Sequence, residues 1–425
     1  MGAEAGGIRL TRHASGARVV TETLPELRSV AIGFWIGTGA RDEDDERSGA
    51  SHFLEHLLFK GTPSRTAPEI AEAIESVGGD MNAFTSHECT AFYVRVPDDR
   101  LPLAIEILSD VIWSPTLDAG DMDAERQVIL EEIRMRDDAP DEVLHDLLSG
   151  ALFPDHPLGR SVLGGHESIG AMTRDQVADY HASHYHPSNV VVAAAGNLDH
   201  DVVVNLVEQG LERGAGVRPK RPMPAFTVPV EHTVLRRDTE QAHVGMAVRG
   251  LARDDDDRYA FTVLNQVLGG GMSSRLFQEV RERRGLAYSV YSYRAAYEDT
   301  GSLALYAGTT PARVDETIEV LHAELDRIVS DRGVTDRELE AARGHLIGSM
   351  ALGLETSASR MQRLGRSELT LGAVPSLDEL AAAVEAVTPD DIARVVDRVL
   401  VDVPRTLTVV GPFDPDRFDE SHPLA

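Results

Sequence analysis

Along the chain, short runs of apolar and β-branched residues alternate with longer stretches in which apolar residues return every three or four positions. SVAIGFWIG (29–37) and AFYVRV (91–96) have the first pattern and read as strands. APEIAEAIESVG (67–78) and AGDMDAERQVILEEIRMR (119–136) have the second and read as helices. Strands spaced by long helices predict an α/β or α+β architecture in which helices cover a sheet. The pattern does not order the strands.

The pattern also recurs. GFWIGTGARDEDDER (33–47) lines up with GMAVRGLARDDDDR (245–258) at an offset of 212, which places Gly33 on Gly245 and Ala40, Arg41 and Asp42 on Ala252, Arg253 and Asp254. TRDQVADYHASHYHPSNVVVAAAGNLD (173–199) parallels TPDDIARVVDRVLVDVPRTLTVVGPFD (388–414) at an offset of 215, with Thr173, Asp175 and Gly196 on Thr388, Asp390 and Gly411. The nearly constant offset predicts two copies of one fold. Between them GAGVRPKRPMPAFTVPV (214–230) is rich in Pro and Gly and reads as a linker. The expected division is a domain over 1–213, the linker over 214–230 and a homologous domain over 231–425.

Composition agrees with that division: 425 residues, 42% hydrophobic, exceed what a single core usually organises. The formal charge of -29 is spread over clusters such as RDEDDE (41–46) and RDDDDR (253–258). That argues against a nucleic-acid partner and is compatible with basic peptides. Lys60 and Lys220 are the only lysines. Cys89 is the only cysteine, so an intramolecular disulfide is excluded and a reducing compartment is allowed. MGAEAGGIRLTRHASG at the N-terminus lacks the apolar core of a secretory signal, and no apolar run approaches the length of a membrane span. A cytoplasmic protein with no membrane association is expected.

The stretch GASHFLEHLLFKGT (49–62) carries the chemistry. Its run SGASHFLEHLLF (48–59) reads as a helix, so His52 and His56 share a face, as two imidazole ligands of one Zn²⁺ must. Glu55 lies beside that face, within reach of a water at a metal. An ordinary helix with solvated histidines fits the five-residue pattern too, and a third ligand decides between the two. ERQVILEEIR (125–134) offers Glu125 and Glu132, two turns apart on one face with Val128 and Ile129, while Glu131 turns away. A carboxylate on a core-facing stripe is costly unless paired, with Arg126 or Arg134 here, or bound to metal.

HFLEH followed by a glutamate 76 positions after the second histidine, within ERQVILEEI, resembles the inverted-motif zinc peptidases of the insulinase and pitrilysin family. The setting GASHFLEHLLFKGT and the two-copy chain resemble in particular the β subunit of mitochondrial processing peptidase and its bacterial relatives. The resemblance spans essentially the whole chain. It implies an α+β fold of two homologous domains, each a mostly antiparallel sheet with helices packed on it. It also implies one zinc per chain held by His52, His56 and Glu132, with Glu55 as general base and Glu125 as an additional active-site carboxylate.

The same resemblance makes DMNAFTSHECTAFYVRV (80–96) an edge strand against which a peptide lies extended, with Asn82, Ala83 and Phe84 beside it. In GGGMSSRLFQEVRERRGLAYSVYS (269–292) it gives Arg281 and Tyr288 the task of binding the substrate backbone and stabilising the oxyanion. From the residues alone, an ordinary edge strand, a solvated charged helix at Arg281 and a strand core at Tyr288 fit as well. Gly269 to Gly271 lack the lysine or dinucleotide spacing of a phosphate loop.

At the offset of 212, the counterparts of His52, Glu55 and His56 are Leu264, Val267 and Leu268, so one active site per chain is expected. The implied function is a zinc endopeptidase acting on extended peptides, basic ones among them. A non-catalytic scaffold or assembly subunit and a zinc hydrolase of small amides are the alternatives. Enclosing relatives contain four copies of the fold. A homodimer, or a heterodimer with a related subunit, is therefore expected, Arg281 and Tyr288 of one chain facing the histidines of the other.

Overall fold

The computed structural model describes residues 7–211 and 216–418. The first six residues and positions 214–215 of the linker lie outside the described residues. The chain forms two compact units. One comprises Met1–Ile133, Ser161–Pro222 and Ala351–Ser376, the other Arg134–Arg160, Met223–Met350 and Leu377–Ala425.

In the first unit, β1 (Ile8–Arg12), β2 (Arg18–Thr23), β3 (Ser29–Ile36), β4 (Asp80–Thr85), β5 (Thr90–Pro97) and β6 (Val190–Gly196) form a six-stranded sheet ordered β1-β2-β6-β3-β5-β4. Only the β2–β6 pairing is parallel. In chain order the first four helices are α1 (Ala50–Leu58), α2 (Ala67–Glu75), α3 (Leu101–Trp113) and α4 (Ala119–Asp137). α5 (Pro140–Leu152) belongs to the second unit, and α6 (His166–Ala171), α7 (Arg174–His184) and α8 (His200–Leu211) return to the first.

The strand β3 is apolar without alternation because both faces of its sheet are covered. Val30, Ile32, Phe34 and Ile36 join the core formed with α1 and α3, while Ala31 and Trp35 join a second cluster with Met361 and Leu364. Those last two residues lie on a helix from the other half of the sequence.

The second unit repeats the plan. β7 (His232–Arg236), β8 (Ala242–Gly250), β9 (Ala287–Ala296), β10 (Gly301–Thr309) and β11 (Thr406–Gly411) are ordered β7-β11-β8-β10-β9, and only β7–β11 is parallel. This is the first sheet without β1. Its helices are α9 (Arg258–Gly269), α10 (Val314–Ser330), α11 (Asp336–Leu352), α13 (Leu377–Glu385) and α14 (Pro389–Val399), whereas α12 (Ser357–Leu371) packs in the first unit. Thr173 and Thr388, matched in the repeat, both cap their helices and close capping boxes with Gln176 and Asp391.

The repeat and the packing thus divide the chain differently. α12 covers β3 and β6 in the first unit, and α5 packs on β8 and β11 in the second, through Leu144 and Leu148 among others. A cut within 214–230 separates the sequence copies but leaves each sheet without the helix on its second face. Residues 216–230 carry no helix or strand, yet they are anchored. Arg221 is buried against Asp42 and the carbonyls of Gly37 and Glu88, and the Val230 amide donates to Ala151. Among the described residues no helix is long and apolar enough to cross a membrane.

Candidate metal centre

Helix α1 is shorter than its sequence pattern, starting at Ala50 because Gly49 sits at φ 93°, left-handed backbone that favours glycine. The Glu43 carboxylate caps this end, accepting from the amides of Gly49 and Ser51 at 2.7 Å each. Phe53, Leu54, Leu57 and Leu58 enter the core, which turns His52, Glu55 and His56, all partly buried, to the other face. Helix α4 is held in the same core by Ile129 and Ile133, with Glu125 buried at 7% exposure. Val128 is 43% exposed and does not share the buried stripe, whose border it occupies at helical spacing. Glu131 is exposed, turned away as expected.

These two helices bring His52, His56 and Glu132 together, each with one ligand-type atom within 4.8 Å of the others. The Nε2 atoms of His52 and His56 each lie 3.6 Å from Glu132 Oε2. That is too long for a good hydrogen bond and close to the roughly 3.4 Å that separates two ligands of a tetrahedral zinc with bonds of about 2.1 Å. Burial, with the neighbouring His56, pushes the His52 pKa down to about 4, so its ring is neutral and available as a ligand at pH 7. His52 Nδ1 is buried without a hydrogen-bond partner. A donor set of two imidazoles and a carboxylate fits Zn²⁺ and leaves a position open.

Around these three atoms sit further polar groups. Glu125 Oε2 accepts from His56 Nδ1 at 3.0 Å, which leaves His56 Nε2 as the ring nitrogen facing Glu132, and Lys60 Nζ lies 2.6 Å from Glu125 Oε1. The Thr85 hydroxyl, at the end of β4, donates to Glu55 Oε2 at 2.6 Å. Burial raises the Glu55 carboxyl above the ordinary range, opposed by the Thr85 hydrogen bond and by His56. Neither Lys60 nor Thr85 stands out in the sequence as a site residue. Lys60 had one visible signal, as one of two lysines placed one helical turn after His56.

Asn82, Ala83 and Phe84 lie on β4, which is an edge strand as expected. Asn82 is exposed, Ala83 buried, and Phe84 packs edge-on against Trp35 with ring centroids 5.4 Å apart. Arg281 and Tyr288 belong to the second unit and meet each other there. The Arg281 guanidinium stacks over the rings of Tyr288 and Phe277, and its Nη1 donates to the Tyr288 carbonyl at 3.0 Å. Tyr288 is 79% exposed, so it is not part of a strand core. Arg281 sits on a segment, Phe277–Arg283, wound as a π-helix, a rare form that often marks functional positions.

Four aspartates of the repeated acidic clusters pair with arginines. Asp42 pairs with Arg221, Asp44 with Arg47, Asp255 with Arg398, and Asp257 with Arg394 and Arg398. In the second unit Leu264, Val267 and Leu268 are all buried on α9, an apolar face where α1 carries its ligands.

A family model described as Insulinase (Peptidase family M16) matches residues 18–166, and one described as Peptidase M16 inactive domain matches residues 171–346. A protein of Streptomyces coelicolor named an uncharacterized zinc protease is 45% identical over 425 residues, covering 98% of this chain and 92% of that one. Proteins of the same description are 45% identical in Mycobacterium tuberculosis, over 92% of this chain and 90% of that one, and 42% identical in Bacillus subtilis, over 88% and 91%. Among solved structures, a protease from Helicobacter pylori superposes with a TM-score of 0.87 at 22% identity, covering 95% of this chain and 99% of that one. A Pseudomonas fluorescens structure described as a peptidase M16 inactive domain gives 0.87 at 22% identity, covering 96% and 98%. These structural likenesses bear on the fold.

Proposed function

Because the chain belongs to the insulinase family, peptidase family M16, we propose that it is a zinc-dependent endopeptidase cleaving extended peptides or unstructured protein segments, in the manner of the processing peptidases. The convergence of His52, His56 and Glu132, with Glu55 beside them, carries this reading. These three residues would hold the metal. When bound, zinc supplies Lewis acidity, which favours hydroxide over water near neutral pH and polarises the scissile carbonyl.

The chain's own residues supply the rest of the mechanism. Glu55 takes the proton of the attacking water and delivers it to the leaving amine. Thr85 holds Glu55 Oε2 and leaves Oε1 as the accepting atom. Glu125 fixes the orientation of His56 by accepting its Nδ1 proton. The outer edge of β4 pairs with the substrate backbone, a mode largely independent of substrate sequence, with Asn82, Ala83 and Phe84 along it. Arg281 and Tyr288 bind the backbone and the developing oxyanion in a two-chain assembly, facing the histidines of the other chain.

Metal analysis together with cleavage of a quenched peptide library tests the reading. One zinc per chain and length-dependent cleavage are expected. Zinc without cleavage of any peptide would favour the scaffold subunit, and cleavage of small amides at equal rates would favour a small-amide hydrolase. For the assembly, mixing inactive Glu55→Gln and Tyr288→Phe chains should recover about a quarter of wild-type activity if dimers form at random. A two-chain assembly with no recovery, or an active monomer, would refute the shared site.

A further inference from the structure

Glu125 is held at both oxygens. Lys60 Nζ lies 2.6 Å from Oε1, and His56 Nδ1 donates to Oε2 at 3.0 Å, while His56 Nε2 is turned toward Glu132. The carboxylate is buried, and Lys60 reaches it from beyond the end of α1. We propose that Lys60 is a positioning residue of the metal centre, acting through Glu125 to hold His56 in the tautomer and orientation that present Nε2. The inference rests on the reading that His52, His56 and Glu132 hold zinc.

The second copy shows what the fold requires in the absence of ligands. Asp118 caps α4 and Thr335 caps α11. Aligning the two caps places Met122 on Leu339, Ile129 on Leu346 and Ile133 on Met350, all of them in or against a core. Glu125 then falls on Ala342 and Glu132 on Ser349. TPSR (62–65) aligns with MSSR (272–275), bringing Ile70 onto Val280, both buried, and Lys60 onto Gly270.

Gly270 is tight for a side chain, since a Cβ there would sit 2.8 Å from the Gln266 Cα, besides meeting that residue's movable side chain. Ala342 is 4% exposed and belongs to the apolar core of its unit. A lysine–glutamate pair needed only to seat the helix would keep a counterpart. This one disappears together with the histidines.

Lysine is also the suitable cation. An arginine fork engages both oxygens of a carboxylate, as Arg275 does with Glu338 through Nε at 2.7 Å and Nη2 at 2.9 Å. An ammonium takes one oxygen and leaves the second for the imidazole.

The test uses the full chain stripped of metal and titrated with zinc against a chromogenic chelator at pH 7, with thermal midpoints of the metal-free forms recorded alongside. Lys60→Met should bind zinc about 10- to 100-fold more weakly with little change in midpoint. Lys60→Arg should keep the midpoint and still bind more weakly, because the fork competes with His56. Lys60→Met combined with Glu125→Gln should be no worse than Glu125→Gln alone. Wild-type zinc affinity in Lys60→Met overturns the inference. Wild-type affinity in Lys60→Arg, or additive losses in the double variant, overturns it as well. A wild-type chain that binds no zinc refutes the zinc reading, and this inference with it.

Discussion

Helices α1 and α9 occupy the same place in two copies of one fold. One presents His52, Glu55 and His56, the other Leu264, Val267 and Leu268. On α9 the three side chains are buried and have no polar atom to satisfy. On α1 they are partly buried, and His52 Nδ1 is enclosed without a partner. The apolar version is therefore what folding alone favours. The polar version carries a local cost that is understandable where a metal offsets it.

The largest effect that would break this comparison concerns Glu55. If α1 differs from α9 by carrying a general base, Glu55→Gln should lower kcat by about 100-fold or more while zinc stays bound. Glu132→Gln should instead release the metal. Single-turnover cleavage and metal content, read on the same preparations, separate the two roles. Full activity in Glu55→Gln would refute the general-base role and leave α1 distinguished from its counterpart by its histidines alone.

A second contrast lies between α12 and α11. Gly365 on α12 has no space for a side chain, since a Cβ there would lie 2.1 Å from Nε1 of the fully buried Trp35. Gly344 on α11 is exposed with nothing within 4 Å. Gly365→Ala should destabilise the protein by about 1–3 kcal/mol through overpacking. Gly344→Ala should stabilise it by up to about 1 kcal/mol through helix propensity. Chemical denaturation measures both. An unchanged midpoint in Gly365→Ala would mean that α12 is not seated on the sheet.

That contrast also marks how far the sequence could be read. The strands at 29–37 and 91–96 and the helix at 119–136 appear within a residue of their patterns, as Ser29–Ile36, Thr90–Pro97 and Ala119–Asp137. Their signal is local periodicity, which survives in one dimension. The shared face of the histidine pair was legible from residue identity and helical spacing, whereas spacing offered Glu125 and Glu132 alike and only the family resemblance chose Glu132.

The contribution of α12 was not legible. Its contact with Trp35 joins residues from opposite ends of the chain, and nothing in either local pattern records the partner. Lys60 was missed for the same reason, because its meaning depends on Glu125 lying beside it. In sequence the acidic clusters are compatible with basic peptides, whereas in the structure arginines distant in sequence, Arg221, Arg394 and Arg398, pair with several of their aspartates.

The smallest predicted effect tests the opening comparison most directly, by turning one position of α1 into its α9 counterpart. His52→Leu removes an imidazole whose Nδ1 is buried and unpartnered, and replaces it with the residue type found at 264. An enclosed polar atom without a partner costs about 1–3 kcal/mol, and part of that is recovered when an apolar side chain takes its place. The position is partly rather than fully enclosed, which limits the gain. The metal-free variant should therefore be more stable than the metal-free wild type by about 1 kcal/mol. With zinc present the order should reverse, because only the wild type gains binding energy on folding. Denaturant titrations with and without zinc read both halves. A metal-free His52→Leu chain less stable than wild type would mean that this histidine is supported by the fold itself, and that the two helices differ by more than the demands of a metal.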